Sequence, residues 1–420
     1  MVEIAQDGGA QVGVASGPGG LVPPPGASTR RGFLRLAAGG VATVAVGAAV
    51  AGDAYAVDRG VFASGSGPAY AQWGQWDQGA APLRLVRAAI LAANAHNAQA
   101  WRFALTSRRI EVYDDVARSL GTVDTYRREI HLSAGCAIEN LAIAASAAGL
   151  VPTVTLAPTS DRALLATVDL APGTPSPSDL YRADLYRAIP HRHTDRGAYQ
   201  RGRTLTADIP RSMGALVDSS DVHLLWLLDT AQRARFSDLT VAATEAFIAD
   251  AKQSSDDYAW YRGTWKQVQQ HRDGITVDAS GLSPLVRSLG KLIPATRSSN
   301  DSYWLSGTRD TQLPTASGFA VLLVRDAADI AQRLAAGRIY QRLQLWATIR
   351  GLAMQPLNQT VERAERERST IGQGPIGVGL AALVADPAWQ PVMPFRIGYP
   401  TTTAPASPRR DVHDVLVATA

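Results

Sequence analysis

The chain has 420 residues, of which 46% are hydrophobic, and its formal net charge at pH 7 is +4. The positive charge is dispersed and almost entirely arginine. No basic run is interleaved with aromatic residues, which argues against nucleic-acid binding. Small anions are better partners, because the guanidinium fork matches phosphate geometry. The single cysteine, Cys136, excludes an intramolecular disulfide.

The first 56 residues predict an export signal. A Gly/Pro/Ala-rich start is followed by Arg30-Arg31, an apolar run over 36–52 and the small-residue site 54–56. This combination is typical of a cleaved twin-arginine signal. One alternative is a membrane anchor, but the run is short and rich in Gly and Ala. The other is a disordered basic tail, which would not explain the Ala-x-Ala site. We expect an exported protein (periplasmic, envelope-associated or secreted) that uses the twin-arginine machinery and has no permanent membrane span when mature.

After a predicted linker over 57–76, apolar residues recur at helical spacing from Leu83 to Ala93. A polar stretch with Asn94, His96, Asn97 and Gln99 then leads into a strand pattern. Amide and imidazole groups at such a junction offer donors and acceptors to a flat polar ligand. The alternative is an ordinary capping loop, with an asparagine ending the helix.

Further along, strand and helix patterns alternate, and some strands are joined by short hairpins. This predicts an α+β fold with sheets flanked by helices. The predicted strands are 101–106, 110–113, 151–156, 222–228, 319–324 and 394–399, and the predicted helices are 134–150, 231–250, 257–272, 327–352 and 359–368.

Two of the helical stretches repeat each other at an offset of 202 residues. Gly135 and Gly149 correspond to Gly337 and Gly351, and the apolar residues between them also match. Alanine-rich helices can resemble one another by chance. Small residues at matched positions nevertheless allow two helices to cross closely, as a two-fold interface requires.

The segment Arg192-x-Thr194-x-Arg196 places two arginines around a hydroxyl group. Such a trio can bind a phosphate dianion from both sides. A solvated basic turn is equally compatible with the sequence. Metal binding by His191 and His193 is less attractive, because the arginines repel a cation and no acidic or cysteine cluster accompanies the pair. No metal is therefore expected.

A long Ser-rich and aromatic-rich insertion over about 250–310 is either a functional cover or an additional surface helix pair. The later Gly372-x-Gly374-x-x-Gly377 is discounted as a dinucleotide motif, because it follows a charged helix rather than a strand. The chain then closes with a strand pattern and the pair Arg409-Arg410.

These motifs together resemble the nitroreductase family of FMN-binding oxidoreductases, most closely its fused-dimer, Acg-like branch. The first motif keeps His96, Asn97, Gln99, Trp101 and Phe103 but has Ala93, Asn94 and Ala100 where the branch has Pro, Ser and Pro. The resemblance implies a nitroreductase-like fold of two tandem halves, 77–175 and 176–420, forming an intrachain pseudo-dimer that is monomeric overall. The insertion would be a lid.

The resemblance also implies a single FMN between the halves. Its phosphate would be held by Arg192, Thr194, Arg196, Arg409 and Arg410, and its ring system would face Asn94, His96, Asn97 and Gln99. No residue is expected to act as a catalytic acid, base or nucleophile. The implied activity passes electrons from a reduced donor through the flavin to a small acceptor such as a nitroaromatic or a quinone. The alternatives are a flavin-sequestering protein with little turnover and a secreted scaffold whose motifs are relics.

Overall fold

The computed structural model describes residues 59–61, 63–161, 163–173, 183–293 and 295–417. The predicted export signal and most of the Pro/Ser/Gly stretch that separates the predicted halves lie outside the described residues. The predicted boundaries between the halves therefore stay a prediction.

Two four-stranded antiparallel sheets organise the described chain. In each sheet the first strand pairs with the second, the second with the fourth, and the fourth with the third. One sheet contains β1 (Trp101–Leu105), β2 (Arg109–Asp114), β3 (Leu150–Leu156) and β4 (Leu164–Pro172). The other contains β5 (Val222–Leu227), β8 (Gly318–Val324), β9 (Ala353–Pro356) and β10 (Gln390–Gly398). Two short strands, β6 (Tyr261–Arg262) and β7 (Ile275–Thr276), form a separate parallel pair.

Helices flank both sheets, so the predicted α+β class is confirmed. They are α1 (Ala71–Gly74), α2 (Leu83–Ala89), α3 (Arg128–Ala147), α4 (Ala183–Ala188), α5 (Asp208–Gly214), α6 (Thr230–Ala249), α7 (Ala251–Tyr258), α8 (Trp265–His271), α9 (Pro284–Leu292), α10 (Arg297–Gly307), α11 (Leu313–Thr315), α12 (Ile330–Ile349), α13 (Gln359–Thr370) and α14 (Pro375–Val384). Along the chain, α3 connects the second and third strands of the first sheet, and α12 connects the second and third strands of the second sheet.

The long helices α3 and α12 cross at their glycines. A Cβ added to Gly135 would lie 2.2 Å from the carbonyl oxygen of Leu334, and one added to Gly337 would lie 2.1 Å from that of Leu132. The two contacts are related by the same 202-residue offset as the glycines. Only glycine permits so close an approach of two helix backbones.

Burial explains why β3 and β8 were predicted from the sequence, whereas β4 was not predicted. All seven residues of β8 are buried, whereas β3 alternates between partly buried and exposed residues. Among the described residues, one helix, α3, has the length and apolar composition of a membrane span, and 94% of its apolar window is buried inside the protein.

Three local predictions differ from the structure. Residues 353–356 were not among the predicted strands but form β9 at the edge of the second sheet. The single helix expected over 257–272 is interrupted by β6, because Thr264 starts α8 with a capping box. The linker expected over 57–76 contains α1, and Trp73 within it donates a hydrogen bond to the Ser407 carbonyl at 2.7 Å.

Candidate active site

The polar stretch after α2 folds into an unusual tight turn. His96, Asn97 and Gln99 all have positive φ angles, between 49° and 52°. Positive φ is uncommon for residues other than glycine, and such strained backbone concentrates at functional sites. The turn is held from outside, because Ser133 on α3 accepts a hydrogen bond from the Ala95 amide at 2.9 Å.

A cavity of about 260 Å³ lies beside this turn. Its walls come from the turn itself, one side of α3, the segment with Thr194 and Arg196, the 250–310 insertion, and the β9–α13 connection. Asn358 at that connection lines the cavity, and its Oδ1 has no hydrogen-bond partner. Its side chain makes no capping hydrogen bond to α13.

The structure brings four of the nine predicted cofactor-binding residues to the cavity wall. These are Asn94, His96, Thr194 and Arg196. The other five lie outside it and contact the protein instead, namely Asn97, Gln99, Arg192, Arg409 and Arg410.

Arg192 and Arg409 form a buried cationic pair. Their exposed fractions are 2% and 1%, and both guanidiniums donate to the Leu91 carbonyl, at 3.0 and 3.4 Å. Arg192 also donates to Gln344, and Arg409 to the Asn97 side-chain oxygen at 2.6 Å. The Nε atom of each arginine has no partner. Among the described residues no carboxylate pairs with either of them.

Burial lowers the pKa of both arginines. For Arg192 the value falls to about 10, and for Arg409 the positive charge of Arg192 adds to the effect of burial. A buried charge is normally paired. Two adjacent buried cations without a carboxylate are therefore the environment in which an anion would be stabilised.

His193 and Trp73 complete this cluster. Their rings meet edge to face with centroids 4.6 Å apart, and the Arg409 guanidinium lies 4.9 Å from the Trp73 ring. Burial, and then Arg192 and Arg409, lower the pKa of His193 to about 3. These cations would repel a metal ion at His193. Trp73 could not be found from sequence, because it lies in the predicted linker.

Arg410 is set apart from the other arginines by a carboxylate. Its guanidinium contacts Asp115 at 3.4 Å and the Gln99 carbonyl at 3.2 Å. The Gln99 side chain in turn accepts from the Arg410 amide and donates to the Arg272 carbonyl at 2.9 Å. Gln99 and Arg410 thus tie the turn to the C-terminal segment and the insertion.

The insertion closes over the cavity. Its helix α7 supplies Asp257, whose Oδ1 lies 2.7 Å from His96 Nε2, and Arg196 donates to the Ala279 carbonyl at 3.2 Å. Tyr261, Tyr303 and Trp304 add an aromatic wall. Burial acts to lower the pKa of His96, but the hydrogen bond and charge of Asp257 outweigh it and hold that pKa above its usual value.

Two acids that the sequence reading missed also line the cavity. Glu129 lies in the first turn of α3 and Glu362 on α13, and their exposed fractions are 2% and 4%. Arg128 contacts Glu129 and Glu365, each at 3.1 Å. The two elements are more than 200 residues apart, so no local sequence signal could have joined them. The expectation that no residue acts as a catalytic acid, base or nucleophile stays a prediction.

Comparison with known proteins finds related sequences but no matching family model. No model of a protein family matches the chain. Two Mycobacterium tuberculosis proteins, from strains CDC 1551 and H37Rv, are each 28% identical over 337 residues, which cover 78% of this chain and 88% of theirs. Both carry the provisional name NAD(P)H nitroreductase. The chain is similar in sequence to nitroreductases.

Solved structures of nitroreductases overlap with part of the chain. The FMN-dependent nitroreductase NfnB of Mycobacterium smegmatis, in complex with NADPH, is 17% identical with a TM-score of 0.35 and covers 55% of this chain and 96% of its own. A nitroreductase with bound FMN from Bacteroides fragilis is 13% identical with a TM-score of 0.32 and covers 52% and 89%. TM-scores this low add no weight to the sequence similarity.

Proposed function

We propose that the protein is an FMN-binding oxidoreductase of the nitroreductase type. One observation supports this function most strongly. Arg192 and Arg409 are buried together, the Nε atom of each has no hydrogen-bond partner, and no carboxylate among the described residues pairs with either of them. An anionic cofactor tail would balance these charges. The similarity to two proteins named as NAD(P)H nitroreductases points to the same chemistry.

The residues fit FMN in two groups. Thr194 and Arg196, on the cavity wall, would hold the phosphate, since guanidinium groups bind phosphate oxygens with charge-assisted hydrogen bonds. Arg192 and Arg409 lie outside the present wall and would contact the phosphate once the cavity widens. Asn94 and His96, on the cavity wall, would face the ring system. Asn97, Gln99 and Arg410 would act indirectly, because they hold the turn and the C-terminal segment in position.

FMN, when bound, would supply the redox chemistry, and the protein would orient it and set its surroundings. The insertion would exclude water from the cavity through its contacts with His96 and Arg196. The cavity of about 260 Å³ is smaller than the roughly 300–1,000 Å³ of typical small-molecule sites. The insertion would therefore have to move outward as the cofactor or an acceptor enters.

The donor and acceptor belong to the same proposal. NAD(P)H is the donor suggested by the names of the relatives, and the aromatic wall of Tyr261, Tyr303 and Trp304 suits a flat acceptor such as a nitroaromatic or a quinone. Export through a twin-arginine signal would remove the protein from cytosolic NAD(P)H, so an exported form would need another donor. Replacement of Arg30 and Arg31 by lysine should keep the protein inside the cell; normal export of this variant would count against the signal.

The second candidate is a flavin-sequestering protein with little turnover. It is favoured by the contacts that fasten the insertion to the rest of the protein: besides His96–Asp257, Arg118 pairs with Asp273, and Lys291 donates to the Gly60 carbonyl at 3.0 Å. A closed cover would protect a bound flavin from donors and acceptors alike.

A visible spectrum and two reductants separate these functions. The purified protein should carry about one flavin per chain, and the absence of a yellow chromophore even after incubation with FMN would exclude both. Anaerobic addition of NADPH should bleach the flavin of a nitroreductase within turnover time. A flavin that dithionite reduces but NADPH does not would favour sequestration, or a donor other than NADPH.

A further inference from the structure

The carboxyl groups of Glu129 and Glu362 meet on the cavity wall. Both side chains are almost fully buried, and the two carboxyls are close enough to share a hydrogen bond. Glu129 has a cationic partner, Arg128, at 3.1 Å. Glu362 has no ion pair among the described contacts.

The surroundings contain more acids than cations. Arg128 lies among Asp124, Glu129, Glu362 and Glu365. The nearby Arg333 donates to the carbonyls of Ala327 and Tyr126 rather than to a carboxylate. Several like charges cannot all stay ionised in a buried cluster, so at least one carboxyl keeps its proton.

Glu362 is the best holder of that proton. Burial raises the pKa of Asp124 to about 7, and the hydrogen bonds that it accepts from the amides of Glu129 and Ile130 at the start of α3 act against a larger rise. Burial, followed by the charge of Glu129, raises the pKa of Glu362 well above its usual range. A neutral carboxylic acid in an apolar site can donate a hydrogen bond at neutral pH.

A second group on the same wall also indicates a ligand. The His96 side chain is 10% exposed, and its Nδ1 has no hydrogen-bond partner. His96 lines the cavity together with Glu362 and the aromatic residues of the insertion. An unpartnered buried nitrogen beside a carboxylic acid and aromatic rings suits a flat ligand that carries polar substituents.

We propose that Glu362, sharing its proton with Glu129, is the acid that protonates the acceptor oxygen during reduction in this cavity. This rests on the proposed flavin function. For a quinone, the reduced flavin would supply a hydride equivalent, which is two electrons and one proton. The O–H bond of Glu362 breaks as the second oxygen–hydrogen bond of the quinol forms. Glu362 is left as a carboxylate and regains its proton from solvent when the cavity opens.

The test compares two oxidants on the pre-reduced, flavin-loaded protein. A quinone needs a proton, whereas ferricyanide takes single electrons and needs none. In Glu362→Gln, reoxidation by the quinone should slow by about 10²- to 10⁴-fold, the usual worth of a general acid. Reoxidation by ferricyanide and the affinity for FMN should stay unchanged. Glu362→Asp, which keeps an acid, should recover part of the quinone rate.

Glu245→Gln is the matched control, because Glu245 is 53% exposed and pairs with Arg309 on the surface. It should leave both rates unchanged. A Glu362→Gln protein that reduces the quinone as fast as the unsubstituted protein would overturn the proposal while leaving the flavin function intact.

Infrared spectroscopy gives a readout that needs no turnover. The unsubstituted protein should show the carbonyl band of a buried protonated carboxyl at neutral pH, and Glu362→Gln, or Glu362→Asp if the glutamine variant does not fold, should remove or shift that band. Absence of the band from the unsubstituted protein would overturn the proposal even if no flavin binds. Failure to bind flavin with the band present would refute the flavin function instead.

Discussion

The helices α3 and α12 make equivalent backbone contacts at their crossing, but their side chains differ in role: those of α3 line a cavity, and Arg338 of α12 makes an ion pair. On the α3 side, Glu129, Ser133 and Cys136 line the cavity. The residues 202 positions later on α12 are Ala331, Ala335 and Arg338. Arg338 instead extends to Glu139, with 3.0 Å between its Nε and a carboxylate oxygen.

The difference teaches that a repeated fold need not carry a repeated site. The matched glycines fix how closely the helices approach, and the side chains beside the crossing decide whether space remains there. Where α3 has acids and a small thiol, a cavity is present. Where α12 has Arg338, a long side chain is committed to a buried ion pair. We expect substitutions on the α12 side to change stability and those around the cavity to change flavin binding.

The largest expected effect lies at the ion pairs that Arg338 and Arg342 of α12 make with Glu139 of α3. Glu139 has no exposed side-chain area and accepts from Arg342 at 2.7 Å as well as from Arg338. Glu139→Ala should lower the free energy of unfolding by about 3–5 kcal/mol, because it removes the buried carboxylate that Arg338 and Arg342 share. Chemical denaturation measures this loss. The surface variant Glu245→Ala should cost under about 1 kcal/mol. A Glu139→Ala protein that loses flavin affinity but keeps its stability would contradict the assignment of this ion pair to stability.

Alanine at the crossing should affect both sides equally. Gly135→Ala and Gly337→Ala each place a Cβ within 2.2 Å of a carbonyl oxygen of the other helix. Each should cost about 1–3 kcal/mol or more of unfolding free energy, because two helix backbones must move apart. Gly214→Ala, with nothing within 4 Å of the added Cβ, is the control. Strongly unequal losses of unfolding free energy in the two variants would show that the two helices do not contribute equivalently to the crossing.

The buried cationic pair should be needed for flavin and not for folding. Arg409→Met should weaken FMN binding by about 1.5–3 kcal/mol, the usual worth of a charge-assisted hydrogen bond. The flavin-free protein should lose little stability, because repulsion with Arg192 is relieved. Arg410→Met is the matched control, since Arg410 already pairs with Asp115 and should matter less. Fluorescence titration with FMN measures both; equal affinities for the two variants would contradict the assignment.

The smallest expected effect is a pH dependence of how stably the 250–310 insertion stays closed. The pKa of His96 is raised in the folded protein, so its contact with Asp257 stabilises the closed insertion fully below the usual histidine value of about 6.5. That stabilisation is lost as the pH rises through the higher folded value. Hydrogen exchange of α7, corrected for intrinsic rates, should therefore speed up above neutral pH. Asp257→Asn should remove this dependence, and the exposed lid variant Asp310→Asn should keep it. The same pH dependence in Asp257→Asn would show that another group controls the cover.

Some features could be predicted from the sequence because they depend on local patterns. Buried runs such as β8 and alternating ones such as β3 predicted strands, and the 202-residue repeat predicted the glycines that meet at the crossing. The tight turn with His96 was recognised because its polar residues stand between a helix and a strand. Asn94, His96, Thr194 and Arg196 were predicted as site residues, and they meet at one cavity.

Only the tertiary structure could decide which charges share an environment. It placed Arg192 beside Arg409 without a carboxylate, paired Arg410 with Asp115, and joined Glu129 to Glu362 across more than 200 residues. A sequence shows which groups can ionise, and its periodicity shows which positions face inward. Burial and the distance to other charges set what each group does, and both arise only when distant segments fold against one another.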